Sequence, residues 1–107
     1  MTAQPTLVSK AFQAFMNEAP KHAQAWSGAV QGLSTASALD QKTAALCYLA
    51  VLSVLRLETG IAFHVASAKK AGASRDEVIS AVLVGLPAAG NATTVCLPAA
   101  LEAFDAE

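Results

Sequence analysis

Apolar residues recur along the chain at three- and four-residue intervals, and alternation at period two is missing, so the pattern predicts helices and no sheet. Leu7, Ala11, Ala14 and Phe15 keep helical spacing over Thr6 to Asn17. The Glu18-Ala19-Pro20 junction ends that segment, because a residue before proline is steered out of the helical region. Pro20 then opens a second helix to about Leu33, with Ala23, Trp26, Val30 and Leu33 on one stripe and Ser34 to Ser37 as a polar link. Asp40 is placed to cap a strongly apolar third helix through Leu46, Leu49, Ala50, Val54 and Leu57. Glu58-Thr59-Gly60 breaks or kinks it, and Ile61, His64, Val65 and Ala68 resume the pattern until Ala71-Gly72 supplies a stop. Ser74-Arg75-Asp76-Glu77 reads as a capping box directly before Val78, Ile79, Val82 and Leu86. A turn over Pro87 to Asn91 precedes a final helix from about Ala92 to Phe104, bent or shortened near Pro98. The expectation is an all-α bundle of about five to six helices in a single domain over residues 1–107.

Composition sharpens this picture. Hydrophobic residues make up 54% and charged ones only 14%, against about 25% charged in an average soluble domain, which excludes a disordered chain. A domain of 10.9 kDa buries about 65% of its unfolded surface. With so little polar material to cover the outside, a homo-oligomer is expected. Seven basic and eight acidic side chains give a net charge of -1, no footprint for nucleic acid or anionic lipid. Thr43 to Leu55 is uncharged but too short to span a bilayer, and prolines and glycines break the longer uncharged run Val78 to Leu101. Met1 to Lys10 lacks the layout of a signal peptide, so a cytoplasmic location is expected. Cys47 and Cys96 stand in no CxxC or Cys/His ligand spacing, so neither a metal site nor a cofactor is implied and both read as packed thiols.

The run Leu39-Asp40-Gln41-Lys42-Thr43, an apolar helix, and then Ala62-Phe63-His64-Val65-Ala66-Ser67-Ala68-Lys69-Lys70-Ala71-Gly72-Ala73-Ser74-Arg75-Asp76-Glu77-Val78 together resemble the carboxymuconolactone decarboxylase and alkylhydroperoxidase D-like superfamily. Its usual string reads LDxKTRELIxLAV, then CxxCxxxH or a cysteine-free variant, then xxAxxAGAxxEEI, and the likeness runs from Leu39 to about Gly90. It implies a helical-bundle subunit that assembles into trimers or hexamers. In the peroxidase branch two cysteines stand seven and four residues before the histidine and a glutamate nineteen before. Those positions here hold Leu57, Gly60 and Ala45, which can neither attack a peroxide nor resolve a sulfenic acid. The decarboxylase branch keeps the histidine without the cysteines and carries acids just before it. Glu58 matches one of those acids, while Gly60 stands where another is found.

His64 is thus the candidate acid-base residue, since imidazole shuttles protons near neutral pH. Gly60 and Ala68, one turn to either side, are small enough to leave a hollow beside it; the alternative is a hydrogen-bonded core histidine. Glu58 is the candidate helper. Six residues on one helix place it about 240 degrees from His64, so the two meet only if the helix breaks at Thr59-Gly60 or the acid comes from a neighbouring subunit. The alternative for Glu58 is a dipole-favourable charge at a helix start. Arg56 is the candidate to hold a substrate carboxylate, with a surface ion pair as its alternative. Lys69 and Lys70 read as charges favoured by a helix C-terminus. Trp26, Phe12 and Phe15 read as core or interface, His22 carries no assigned chemistry, and Gly85, Pro87 and Gly90-Asn91 mark a close approach of helices. Three functions follow as expectations: a decarboxylase-like enzyme acting on a small carboxylated or carbonyl compound, a peroxide-reducing relative with peroxiredoxin activity, disfavoured by the missing cysteines, and a non-catalytic assembly protein.

Overall fold

The computed structural model describes residues 8–106 and falls into two units, residues 1–39 and 40–107. In the first, α1 (Lys10–Glu18) packs on α2 (Pro20–Ala36). Thr6 and Leu7, where the first helix was expected to begin, lie outside the described residues. The described helix starts at Lys10 because the Ser9 hydroxyl accepts from the Phe12 amide at 3.1 Å and caps it. Pro20 occupies the first position of α2, as its fixed φ favours. Phe12 and Phe15 meet with ring centroids 5.9 Å apart. Ala23 is the buried position of α2, and Phe12 and Trp26 are exposed, so these rings are not core residues.

The second unit is built from α3 (Gln41–Val54), a 3-10 turn (Glu58–Gly60), α4 (Ile61–Lys70), α5 (Arg75–Leu83), the short α6 (Leu86–Ala89), a second 3-10 segment (Asn91–Cys96) and α7 (Leu97–Asp105). No strand occurs among the described residues, so the chain is all-α as its periodicity predicts. α4 lies between α3 and α7, and α5 packs on the same two helices. Leu49, Leu52, Ile61, Val65, Ala68, Val78, Val82, Cys96 and Ala100 form the core where these surfaces converge. The expected close approach occurs at Gly85: a Cβ there would stand 2.7 Å from Val54 Cγ2.

Side chains fix the ends of these helices. Asp40 Oδ1 accepts from the Thr43 amide at 2.7 Å, and that bond holds its carboxyl below the usual range. At α5 the Ser74 hydroxyl accepts from the Glu77 amide at 3.0 Å while Glu77 Oε1 accepts from the Ser74 amide at 2.9 Å, the reciprocal box that the sequence predicts. Glu77 also meets Lys42 Nζ at 2.9 Å, which ties the start of α5 to the first turn of α3. The end of α7 is fastened twice. Lys69 Nζ donates to the carbonyls of Phe104 (2.6 Å) and Ala106 (3.2 Å), and Arg75 grips Asp105 through Nε at 2.9 Å and a second nitrogen at 3.1 Å.

α2 runs on through most of the expected polar link to Ala36, the capped helix α5 ends at Leu83 rather than reaching Leu86, and the turn expected over 87–91 begins as the short helix α6. Two further boundaries differ from those read in the sequence. α3 stops at Val54 rather than running to Leu57, and the expected final helix is divided into the 3-10 segment and α7. Proline accounts for the second difference. Pro98 has no amide hydrogen and its ring would collide with a carbonyl four residues earlier, so it is accommodated in the first turn of α7. The first difference belongs to the site.

Candidate functional site

α3 ends in a Schellman motif: the Leu57 amide donates to the Leu52 carbonyl at 2.9 Å and the Arg56 amide to the Ser53 carbonyl at 3.1 Å. The left-handed residue this motif needs is Arg56, at φ +57°, the one non-glycine residue with positive φ among those described. The equivalent position after α4 is Gly72 at φ +100°, with Ala73 donating to Ala68 and Gly72 to Lys69. A side chain in that region costs roughly 1–2 kcal/mol that glycine would not. Arg56 is exposed, and the chain turns there into the 3-10 turn and then α4.

This turn lays α4 against α3 and brings His64 to Tyr48. The two rings stack with centroids 4.2 Å apart and planes 27° from parallel, while Phe63 meets the imidazole edge-on at 5.2 Å and 74°. His64 is half-buried, and no hydrogen bond to its ring occurs among the described residues. Since no buried side-chain nitrogen or oxygen lacks a partner, its ring nitrogens remain within reach of solvent. Burial pushes its pKa below the ordinary histidine value, and no charged group contributes. A neutral imidazole with uncommitted nitrogens is a competent proton acceptor. The small neighbours serve packing: a Cβ at Gly60 would stand 3.6 Å from Leu52 Cδ1, and Ala68 is buried in the core.

Glu58 opens the 3-10 turn and is exposed. Its charge contributes at Cys96, where it adds to burial in raising the thiol pKa, and contributes nothing at His64. The three candidates are distributed along one stretch of chain, and no hydrogen bond or ion pair joins Glu58 to His64 among the described residues. Tyr48 is the neighbour that sequence reasoning missed. Its only signal was its place sixteen residues before His64 on the preceding helix, a separation that becomes a contact once the turn at Arg56 is known.

The two thiols have different fates. Cys96 is fully buried, and burial raises its thiol pKa, so it is the packed residue expected. Cys47 is exposed rather than packed. α3 is apolar around its whole circumference, and only the face bearing Leu49, Leu52 and Ser53 is buried. Cys47 lies instead in an apolar groove of about 450 Å³ between α3 and α5, with Leu46, Ala50, Ala81 and Val84 beside it. Among the described residues no group of three or more His, Cys, Asp or Glu side chains could hold a metal ion, and no helix is long and apolar enough to cross a membrane.

The sequence model of the carboxymuconolactone decarboxylase family matches residues 20–106. No curated protein and no solved structure matches the chain significantly.

Proposed function

Because the chain belongs to the carboxymuconolactone decarboxylase family, we propose that it is a small enzyme performing acid-base chemistry on a small carboxylated or carbonyl compound through His64. The observation that carries this reading is the setting of that imidazole: half-buried, stacked on Tyr48, and with no hydrogen bond to its ring among the described residues. In the proposed reaction it takes a proton from carbon next to a carbonyl, or delivers one to the carbon that loses carboxylate. Arg56, exposed at the end of α3, is assigned the substrate carboxylate, for which guanidinium offers two parallel hydrogen bonds. Glu58 is assigned the helper role from a neighbouring protomer, since no hydrogen bond or ion pair joins it to His64 of its own chain among the described residues. Val51 and Leu55, one turn apart at the end of α3 and each more than half exposed, support self-association into a trimer or hexamer. We place the protein in the cytoplasm.

The test is a panel of lactone acids and oxo acids assayed for carbon dioxide release and for loss of substrate by chromatography. We expect at least one to be consumed by the wild type and spared by His64→Gln. Equal turnover by both proteins defeats the reading. Peroxide reduction is the weaker alternative, because burial raises the thiol pKa of Cys96 and Cys47 would have to act without a resolving partner.

A further inference from the structure

We propose that Tyr48 is a positioning residue for His64: its ring face holds the imidazole in one orientation. This rests on the assignment of His64 as the acid-base group. Histidines with a fixed catalytic orientation usually owe it to a carboxylate or carbonyl bonded to the second nitrogen. His64 has neither among the described residues, and Glu58 contributes nothing to its titration.

Two contacts replace that bond. The Tyr48 ring covers one face of the imidazole at 4.2 Å, and Phe63, the preceding residue on α4, packs against it at 5.2 Å with its plane inclined by 74°. Tyr48 comes from α3, a different helix, so its contact restrains the rotation of His64 relative to the rest of the bundle, whereas Phe63 moves with the same backbone. Stacking also leaves the ring edge, where both nitrogens lie, uncovered by the face contact. No hydrogen bond among the described residues engages either nitrogen, and none of the buried side-chain nitrogens and oxygens lacks a partner, so a base held in this way keeps its nitrogens within reach of solvent or substrate.

Tyr48 is half exposed, so replacing it removes little core packing, and its hydroxyl makes no hydrogen bond among the described residues. The ring face, rather than the hydroxyl, is therefore the active part of the contact.

The experiment uses the full chain with His22→Gln, which leaves His64 as the only imidazole of the two in the sequence. Proton and carbon resonances of the His64 ring are recorded with Tyr48 intact, as Tyr48→Phe and as Tyr48→Leu, after circular dichroism establishes equal helicity. The expected result is a Tyr48 to His64 ring Overhauser contact and upfield-shifted imidazole protons in the parent, retained shifts in Tyr48→Phe, and loss of the shift in Tyr48→Leu. On a substrate from the panel, Tyr48→Leu lowers kcat with KM unchanged, and Tyr48→Phe restores it. Absence of the Overhauser contact, unchanged His64 shifts in Tyr48→Leu, or a Tyr48→Phe spectrum like that of Tyr48→Leu overturns the proposal. Should His64→Gln retain turnover while the shifts follow the expected pattern, the acid-base assignment fails and the stacking itself stands.

Discussion

Tyr48 of α3 and His64 of α4 lie face to face, 4.2 Å between ring centres, across the seam where these two helices pack. The half-burial that accompanies this contact makes the imidazole harder to protonate in the folded chain than in the unfolded one. Unfolded histidine takes its proton near pH 6.5, and the folded residue does so only at lower pH. Between those two values the unfolded chain binds more protons, so stability rises with pH there and falls as the solution is acidified below about 6.5. Urea midpoints measured from about pH 7.5 down to about 5 will show this slope in the wild type. In His64→Gln it will flatten, and an equal slope in both would contradict the assignment.

Arg56 separates stability from chemistry. Its φ of +57° belongs to glycine by preference, so Arg56→Gly will gain about 1 kcal/mol and raise Tm by several degrees. If Arg56 holds the substrate carboxylate, the same variant will raise KM. A stabler protein with unchanged KM would leave the arginine without a binding role.

The capping box yields a simple measurement. Ser74→Ala removes the acceptor of the Glu77 amide and will cost about 1 kcal/mol in denaturant unfolding. A loss no larger than that of a typical exposed substitution, within about 0.5 kcal/mol, would mean that the start of α5 is held by its packing alone.

Gly85 and Val54 form a coupled pair. A methyl at residue 85 would stand 2.7 Å from Val54 Cγ2, and a β-branched side chain in a helix has little rotamer freedom with which to yield. Gly85→Ala will therefore destabilise by about 1–3 kcal/mol. Its φ of -86° and ψ of 0° suit alanine, so in a Val54→Ala background the cost will vanish or become a gain of about 0.4–1 kcal/mol. Additive effects would refute the contact.

Thiol titration distinguishes the cysteines. Cys47 will react with a disulfide reagent in the native state and Cys96 only on unfolding, because the first is exposed and the second is sealed in the core. One fast and one unfolding-limited phase are expected. Two fast phases would show that the core around Cys96 opens locally.

The elements legible in the sequence were those announced by local chemistry: Asp40 and Ser74 as caps, Gly72 as a stop, Pro20 as a start. What escaped was non-local or lacked its customary residue. The Schellman turn at Arg56 carries no glycine, so nothing in the chain announced that α3 would end before Leu57. Tyr48 was equally silent, because its role depends on how α4 folds back. Conversely, the circumferential apolarity of α3 hid which residues face inward, and so Cys47 read as packed.

The clasp on α7 has a consequence for the end of that helix. Lys69 and Arg75 reach it from two different helices, and every acceptor they use lies at Phe104, Asp105 or Ala106. Removal of residues 104–106 would therefore strip two cations of their anchors while deleting no part of α4 or α5. The end of α7 behaves as a latch, and a change introduced there is best placed where it leaves these hooks undisturbed.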